Sequence, residues 1–365
     1  MARSLLRSTA LPLASLALFS TPIAAAAEDG LEFYGQLNFG LFSVDDGTNS
    51  DTFISDNDNS NTRVGAIYRR GLGNGNEFRF HFETALGLRG SSGVDLTDNG
   101  LETDGSLRDL RKFEVIYQTA DYGTFSFGQG SVAVDGVAEV DFSGTTVIAY
   151  SSLQDLAGSQ VFQLAGGAGS SGIDVGNAFN AFDGGRRLRL RYDSPEWNGF
   201  SFAATVGEEV LTSGNDDSFY DISASYRRDF GAVDFATRVG YAVVDGGEET
   251  ILGSVAAIHK PTGLNVSFAA GSQNEIGDAS QYYLKVGIKR DWLDFGSTAL
   301  SVDYADGSDF FAAGSESTSY GIAAVQKIDN KNLEIYATYR VYQFESAGIA
   351  TDDIDVAALG ARFKF

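Results

Sequence analysis

Apolar and polar residues alternate with a period of two along almost the whole chain, and this constrains its fold more than any motif does. Leu31, Phe33, Leu37, Phe39 and Leu41 share one parity, with Glu32, Gln36 and Asn38 on the other. Phe78, Phe80 and Phe82 alternate with Arg79, His81 and Glu83, and Phe113, Val115 and Tyr117 with Lys112 and Glu114. Leu188, Leu190 and Tyr192 alternate with Arg187, Arg189 and Arg191. Leu333, Ile335, Ala337, Tyr339 and Val341 alternate with Glu334 and Arg340. A helix repeats its apolar face every three or four residues, whereas a period of two is a strand with two unlike faces. The chain therefore reads as all-β. A soluble sandwich and a closed barrel both alternate in this way, so the pattern alone does not separate them.

The connections separate them. Short turns rich in Gly, Asn, Asp or Pro fall at residues 71–76, 120–123, 194–199, 229–231, 261–263, 291–292 and 329–331. Longer polar loops fall between them, at residues 43–61, 89–106, 131–185, 209–218, 273–280 and 306–317. Short and long alternate through about sixteen candidate strands, which is the sidedness of an outer-membrane barrel. In hydrocarbon an unpaired backbone group costs several kcal/mol, so a spanning sheet has to close on itself. A barrel of this size is too wide for its own side chains to fill, so the expectation is a watery lumen lined by residues such as Arg79, Arg189 and Lys285. Trp197 and Trp292, the two tryptophans, both fall in short turns, where indole suits the membrane interface.

The remaining bulk features bound the rest. Arg3 and Arg7, then the apolar run 11–19, then Ala24–Ala26 read as a signal peptide over residues 1–27, leaving a single barrel domain over 28–365. No later apolar run is long enough for a spanning helix. There is no Cys. The formal net charge is -23 (26 basic against 49 acidic residues), and removing Arg3 and Arg7 makes it -25. Such a chain repels phosphates, so nucleic acid is not an expected partner.

Residues 131–185 are much longer than an ordinary loop of ~12–15 residues or fewer. The segment carries Asp135, Glu139, Asp141 and Asp155 and runs straight into Arg186, Arg187, Arg189 and Arg191. Our reading is that it folds into the barrel and sets the bore. Arg187, Arg189 and Arg191 share a parity opposite to Leu188, Leu190 and Tyr192, and lipid-facing arginines would cost about 2–4 kcal/mol each near the midplane. They are therefore expected to face the lumen.

The last strand alternates to a terminal Phe365. Arg63-Val64-Gly65 leads to Gly71-Leu72-Gly73-Asn74-Gly75; Arg111 leads to Ala120-Asp121-Tyr122-Gly123-Thr124-Phe125-Ser126-Phe127-Gly128; and Arg191-Tyr192-Asp193-Ser194-Pro195 is followed by Asn198-Gly199-Phe200. At these residues the chain resembles the general bacterial porins, trimeric sixteen-stranded channels of the Gram-negative outer membrane. The resemblance implies a homotrimer in contact with lipopolysaccharide and outer-membrane lipid, with Phe365 as an assembly signal. It implies passive diffusion of small hydrophilic solutes and ions, and no enzymatic activity. It also implies a third loop, here residues 131–185, whose carboxylates Asp135, Glu139 and Asp141 face the arginines Arg63, Arg111, Arg187 and Arg189 across the constriction. The sequence departs from the family at Gln129, where a basic residue is common, and in having only a partial echo, Glu139 to Gly144, of the family's Pro-Glu-Phe-Gly-Gly run. Arg111 shares parity with Phe113, so a bulge or strand end has to re-aim it inward.

Gly167-Ala168-Gly169-Ser170-Ser171-Gly172 matches the dinucleotide-binding pattern but lacks a βαβ setting, so it reads as loop. Asp56, Asp58 and Ser60 have calcium-loop spacing, but Asn61 and Ile67 stand where a helix–loop–helix hand needs Gly and Glu. A structural Ca²⁺ held by Asp56 and Asp58 in an acidic outer loop is the one cofactor expectation. His81 and His259 have no nucleophile motif beside them, and His81 is expected in a lumenal charge network. Besides general diffusion, two further functions fit: a solute-selective channel with a binding site at the long loop, and a plugged structural or adhesive barrel.

Overall fold

The computed structural model describes residues 29–365, apart from residues 104, 107–108, 246 and 275–277. The expected signal peptide, residues 1–27, lies outside the described residues. Eighteen strand segments share one hydrogen-bonded sheet. Ser50–Asp56 and Arg63–Gly73 follow each other along one stave, and Ile349–Ala350 is a hairpin stub, so eighteen segments make sixteen staves. The others are Gly30–Asp45, Asn76–Ala85, Leu110–Thr119, Gly123–Ser131, Arg186–Asp193, Phe200–Glu208, Ser218–Asp229, Val233–Val244, Glu248–His259, Leu264–Gln273, Ser280–Leu293, Gly296–Ser308, Glu316–Ile328, Leu333–Ser346 and Ile354–Lys364. Neighbours pair antiparallel throughout.

The last stave closes the barrel on the first, from Gln36 opposite Lys364 to Asp45 opposite Asp355. Phe365 finishes the seam: its N–H donates to the Gly35 carbonyl at 3.0 Å and its carbonyl accepts from Gly35 at 2.9 Å. Glycine at 35 is required there, because a Cβ would lie 2.6 Å from the Phe365 ring and 2.9 Å from the Arg63 carbonyl. Closure leaves no sheet edge to be desolvated by lipid.

The outer face carries exposed Leu31, Phe33, Phe113, Phe127, Leu190, Ile222, Val239 and Leu359 among many others. A soluble protein could not keep so continuous an apolar surface in water, but a membrane-spanning barrel presents it to lipid. At the short-turn end, the Trp197 ring contacts Phe202, and Phe200, Tyr226 and Phe235 form a second run of ring contacts. Trp292 is exposed at the end of its stave at the same rim. The barrel is thus transmembrane, with aromatic residues at the rim of the short turns.

Two expectations change. Residues 43–61 are not one loop. The first stave runs to Asp45, and the wall resumes at Ser50 and is then interrupted by a 3-10 turn, Asp58–Ser60. The lumen is not simply water-filled either. Much of residues 132–185 packs inside the barrel, and its Ile148, Leu153, Leu156, Phe162, Ile173 and Phe179 share one apolar core with Phe42, Tyr336, Tyr342, Phe344, Ile354 and Val356 of the wall.

Candidate functional site

The long segment is laid against the inner wall by hydrogen bonds from strand side chains that point inward. At its start, Ala133 N–H donates to Thr205 Oγ1 at 2.7 Å, Val134 N–H to Asp221 Oδ1 at 3.1 Å, and Ser223 Oγ to the Ala133 carbonyl at 2.8 Å. Further along, Val140 N–H donates to Ser254 Oγ at 3.1 Å, and Thr145 Oγ1 lies 2.8 Å from Ser301 Oγ. Tyr342 OH then donates to the carbonyls of Leu153 and Leu156 at 2.8 and 2.7 Å. The chain next reaches the outer hairpin, where Ala165 N–H donates to the Ala350 carbonyl at 2.9 Å. It returns through a four-residue helix, Val175–Ala178, capped by Asp174. Asp183 closes the circuit, accepting from Gly136 N–H at 2.6 Å and Ala138 N–H at 2.8 Å. Burial raises the Asp183 carboxyl to about 7, with the neighbouring Asp135 charge adding to the rise.

Where this loop leaves the wall uncovered, a cationic group lines it. Arg63 and Arg111 flank Glu83 at 3.3 and 2.6 Å. Arg111 reaches it through a bulge: Lys112 pairs with Glu83 and Leu110 with Thr84, leaving Arg111 as the extra residue. The re-aiming that its parity demanded is therefore present. Arg186, immediately after the loop, is partly exposed and lies 3.9 Å from Asp135. Glu139 ends a 3-10 turn, Val137–Glu139, and is exposed on the loop.

The other residues singled out from sequence are placed differently. Asp141 is turned to the wall. Its carboxylate accepts from Lys285 Nζ at 2.9 Å, Ser143 N–H at 2.5 Å and Ser267 Oγ at 3.2 Å. Arg189 is buried, with only 3% of its side chain exposed. It pairs with Glu114 and donates to the Ser131 and Gly128 carbonyls at 3.1 and 3.0 Å, so it holds the root of the loop rather than facing open water. Arg191 does the same through the Val132 carbonyl at 2.6 Å. Arg187 is half-buried against Glu209 at 3.4 Å, its guanidinium 4.4 Å above the Phe219 ring. Parity placed all three arginines on the inner face correctly, but could not tell which of them the loop would cover.

Asp56 and Asp58 are each engaged by protein donors. Asp56 accepts from Thr62 N–H and Oγ1, and Asp58 from the N–H and hydroxyl of Ser92. Among the described residues no group of three or more His, Cys, Asp or Glu side chains is placed to hold a metal ion. The glycine-rich run 167–172 spans the end of a hairpin turn and the start of its second strand, Ser170–Asp174, which pairs with Val161–Gln163, and is not a strand–helix phosphate cradle. His81 is lumenal as its parity implied: Tyr34 OH lies 2.7 Å from its Nε2, and Glu114 is 3.5 Å from its Nδ1. His259 is exposed beside Thr262.

Sequence reasoning set Arg186 among the arginines on the wall opposite the loop but not at the constriction, placed Glu83 and Lys285 on the inner face without a part in the site, and missed Asp183 and Arg238, whose Nη1 donates to the Gly136 carbonyl at 2.9 Å. The available signal was parity together with position. Each is an ionisable residue either on an inward face or at the end of the long loop, where it must meet an opposite charge, backbone donors or water.

The sequence matches the family model described as Gram-negative porin over residues 13–347. No match was found among curated proteins. Solved structures share the architecture at low identity. An anion-selective porin from Comamonas acidovorans aligns with a TM-score of 0.61 at 15% identity, over 93% of this chain and 100% of that one. In-vitro folded OmpT, an outer membrane protein of Vibrio cholerae, aligns at 0.58 and 14%, over 94% and 100%. Salmonella typhi OmpF in complex with daunomycin aligns at 0.57 and 14%, over 92% and 98%.

Proposed function

The chain belongs to the Gram-negative porin family and is an outer-membrane channel for small solutes, and we propose that Arg63, Arg111 and Arg186, facing Asp135 and Glu139, form its constriction. The observation that supports this reading is the loop itself, hydrogen-bonded to inward-facing side chains of the wall, with Arg186 3.9 Å from Asp135 at its end. Opposite charges across a narrow wet gap produce a transverse field. Dipolar solutes align in that field, ions are sorted by sign, and apolar solutes have to disrupt ordered water. In this reading Arg189 and Asp141 set the position of the loop more than they meet the solute, and Arg187 is held by Glu209 beside it.

The same reading makes the protein a homotrimer, supported by the trimer form in which a V. cholerae OmpT structure is described. Lipopolysaccharide is then the lipid partner at the long-loop end. No catalytic group is required: His81 is engaged by Tyr34 and Glu114 in the lumen.

The test is the reversal potential of the channel in planar bilayers under a salt gradient. Replacing both Arg111 and Arg186 by Ala should shift selectivity towards cations. The shift should grow at low salt, because the screening length is about 30 Å at 0.01 M and about 10 Å at 0.1 M. An unchanged reversal potential at low salt would place these arginines outside the conduction path.

A further inference from the structure

The outer wall carries a groove of about 1020 Å³ across the staves from Arg186–Asp193 to Leu264–Gln273. It opens outward. Val134 and Phe182 back the same strands on the lumenal side, at Gly240 and Gly271, yet neither lines it. Small outward residues, Ala204, Ala224 and Ala270, make its floor, and Phe202, Ile222 and Phe268 stand beside them. In a bilayer there is no hydrophobic force between two apolar surfaces, so occupancy follows shape and polar contacts. A furrow flanked by rigid rings leaves voids unless something slender lies in it.

One end of the groove indicates what that is. Ala224 and Ile222 face outward on the stave Ser218–Asp229, and further down the same face come Tyr226 and Arg228. Arg228 is about 13 Å from Ala224 and about 20 Å from Ile222 along the strand, at ~3.3 Å per residue. It is exposed, its guanidinium 5.9 Å above the Phe230 ring. No described carboxylate pairs with it. It lies at the short-turn rim beside the Phe200, Tyr226 and Phe235 ring contacts, which is headgroup level on the periplasmic side.

We propose that this groove is a phospholipid seat of the inner leaflet, with an acyl chain along Ala224 and Ala204 and the phosphodiester on Arg228. A second copy of the chain is disfavoured as occupant, since it would have to supply a carboxylate for Arg228. Lipopolysaccharide is disfavoured because the cationic end faces the short turns. The lipid would brace the wall against which the start of the constriction loop is hydrogen-bonded.

The experiment uses the delipidated full-length protein in detergent, titrated with dioleoylphosphatidylglycerol, with bound lipid per protomer counted by native mass spectrometry. The parent should retain one tight lipid per protomer. Filling the floor with Ala204→Leu and Ala224→Leu should weaken it about tenfold or more, and Arg228→Gln about tenfold by loss of a charge-assisted hydrogen bond. Dioleoylglycerol, which has no phosphate, should bind the parent no better than Arg228→Gln binds the phospholipid. Equal retention by all three proteins would overturn the proposal. So would dissociation of the oligomer in the alanine-to-leucine variant with Arg228→Gln unaffected, which would make the face a seam between copies. If the leucine variant loses its heat-modifiable mobility and so is not folded, Arg228→Gln alone decides.

Discussion

Replacing Lys285 by Met should release the constriction loop without opening the barrel. Lys285 Nζ is fully buried, 2.9 Å from Asp141 Oδ2, 2.6 Å from the Ala149 carbonyl and 3.4 Å from Ser143 Oγ. It pins three points of the loop to one stave. Burial pushes the Asp141 carboxyl up, but the Lys285 ammonium and the Ser143 donors outweigh it and hold the group below its usual range. Removing one partner of such a pair leaves a buried charge uncompensated, at a cost of about 3–5 kcal/mol. That cost falls on loop docking, since the ladders on either side of the stave are backbone bonds that Met leaves intact. A shift of about 3 kcal/mol changes a local open–closed ratio roughly 150-fold, enough to populate an undocked loop.

The assay is single-channel recording in planar bilayers with limited proteolysis of the loop. Lys285→Met should give a larger and noisier open-channel current and new cleavage within residues 140–150, at unchanged heat-modifiable mobility. Asp141→Asn together with Lys285→Met should recover part of the parent's quiet current, because no unpaired charge is left behind. In the parent the depressed carboxyl contributes stability above its unfolded value of 3.8, and this is lost as the pH falls through the lower folded value. Strong acid should therefore mimic the single variant. Parent-like noise in Lys285→Met, or a double variant as noisy as the single, would refute the anchoring argument.

Three further outcomes follow from the same geometry. Arg189→Ala should lower the thermal midpoint and raise current noise, because it takes the guanidinium from Glu114 and a donor from each of the Ser131 and Gly128 carbonyls; a change of reversal potential alone would contradict that role. Gly360→Val should reduce the yield of assembled barrel, at a cost of about 1–3 kcal/mol or more, since a Cβ there falls 2.3 Å from the Tyr336 hydroxyl. Tyr336→Ala in the same background should relieve the clash, and a yield unchanged by Gly360→Val would show that the ring is not fixed. Burial raises the Asp155 carboxyl to about 7, so the folded loop binds its proton more tightly than the unfolded chain does. The Asp155 contribution to docking is then largest below about 3.8 and is lost as the pH rises through about 7, so amide protection at Leu153–Leu156, corrected for intrinsic rates, should fall from pH 5 to pH 8 and become flat in Asp155→Asn.

The architecture was legible because lipid enforces it residue by residue. A strand exposed to hydrocarbon on one face cannot lose its period of two, and a sheet with no water to satisfy its edges cannot stay open. Even the departure at Arg111 could be read in advance, since its parity was wrong for an inward charge and a bulge resolves it. The site was less legible because parity says which face a residue occupies, not what covers it. Arg187 and Arg189 are two residues apart on the same face, yet one is half-buried beside Glu209 and the other is sealed under the loop root. Asp141 finds its cation 144 residues away, a pairing that no local spacing encodes.

One long-range signal was nevertheless present and bears on where the loop packs. Along the inward face of Leu333–Ser346, Glu334, Thr338 and Arg340 give way to Tyr342 and Phe344 towards the loop end. On the next stave the lumenal residues read from Ile354, Val356 and Ala358 at the loop end to Arg362 and Lys364 at the turn end. On the first, Gln36 and Asn38 give way to Phe42 and Val44. The inner faces of three adjacent staves thus turn apolar towards the loop end, the first and last at one paired level, Phe42 opposite Ala358, and Leu333–Ser346 from Tyr342, opposite Ile354. An inner face bathed in water has no use for Phe42, Tyr342, Phe344 and Val356 together. They need an apolar partner, and the chain contains one long segment, rich in Ile148, Leu153, Leu156, Phe162 and Phe179, that can reach them. In the reading proposed above, the bore is divided into a dry sector where the loop is packed and a wet sector where Arg63, Arg111 and Arg186 remain, and the charges of that wet sector act on a solute because the packed loop is held across from them.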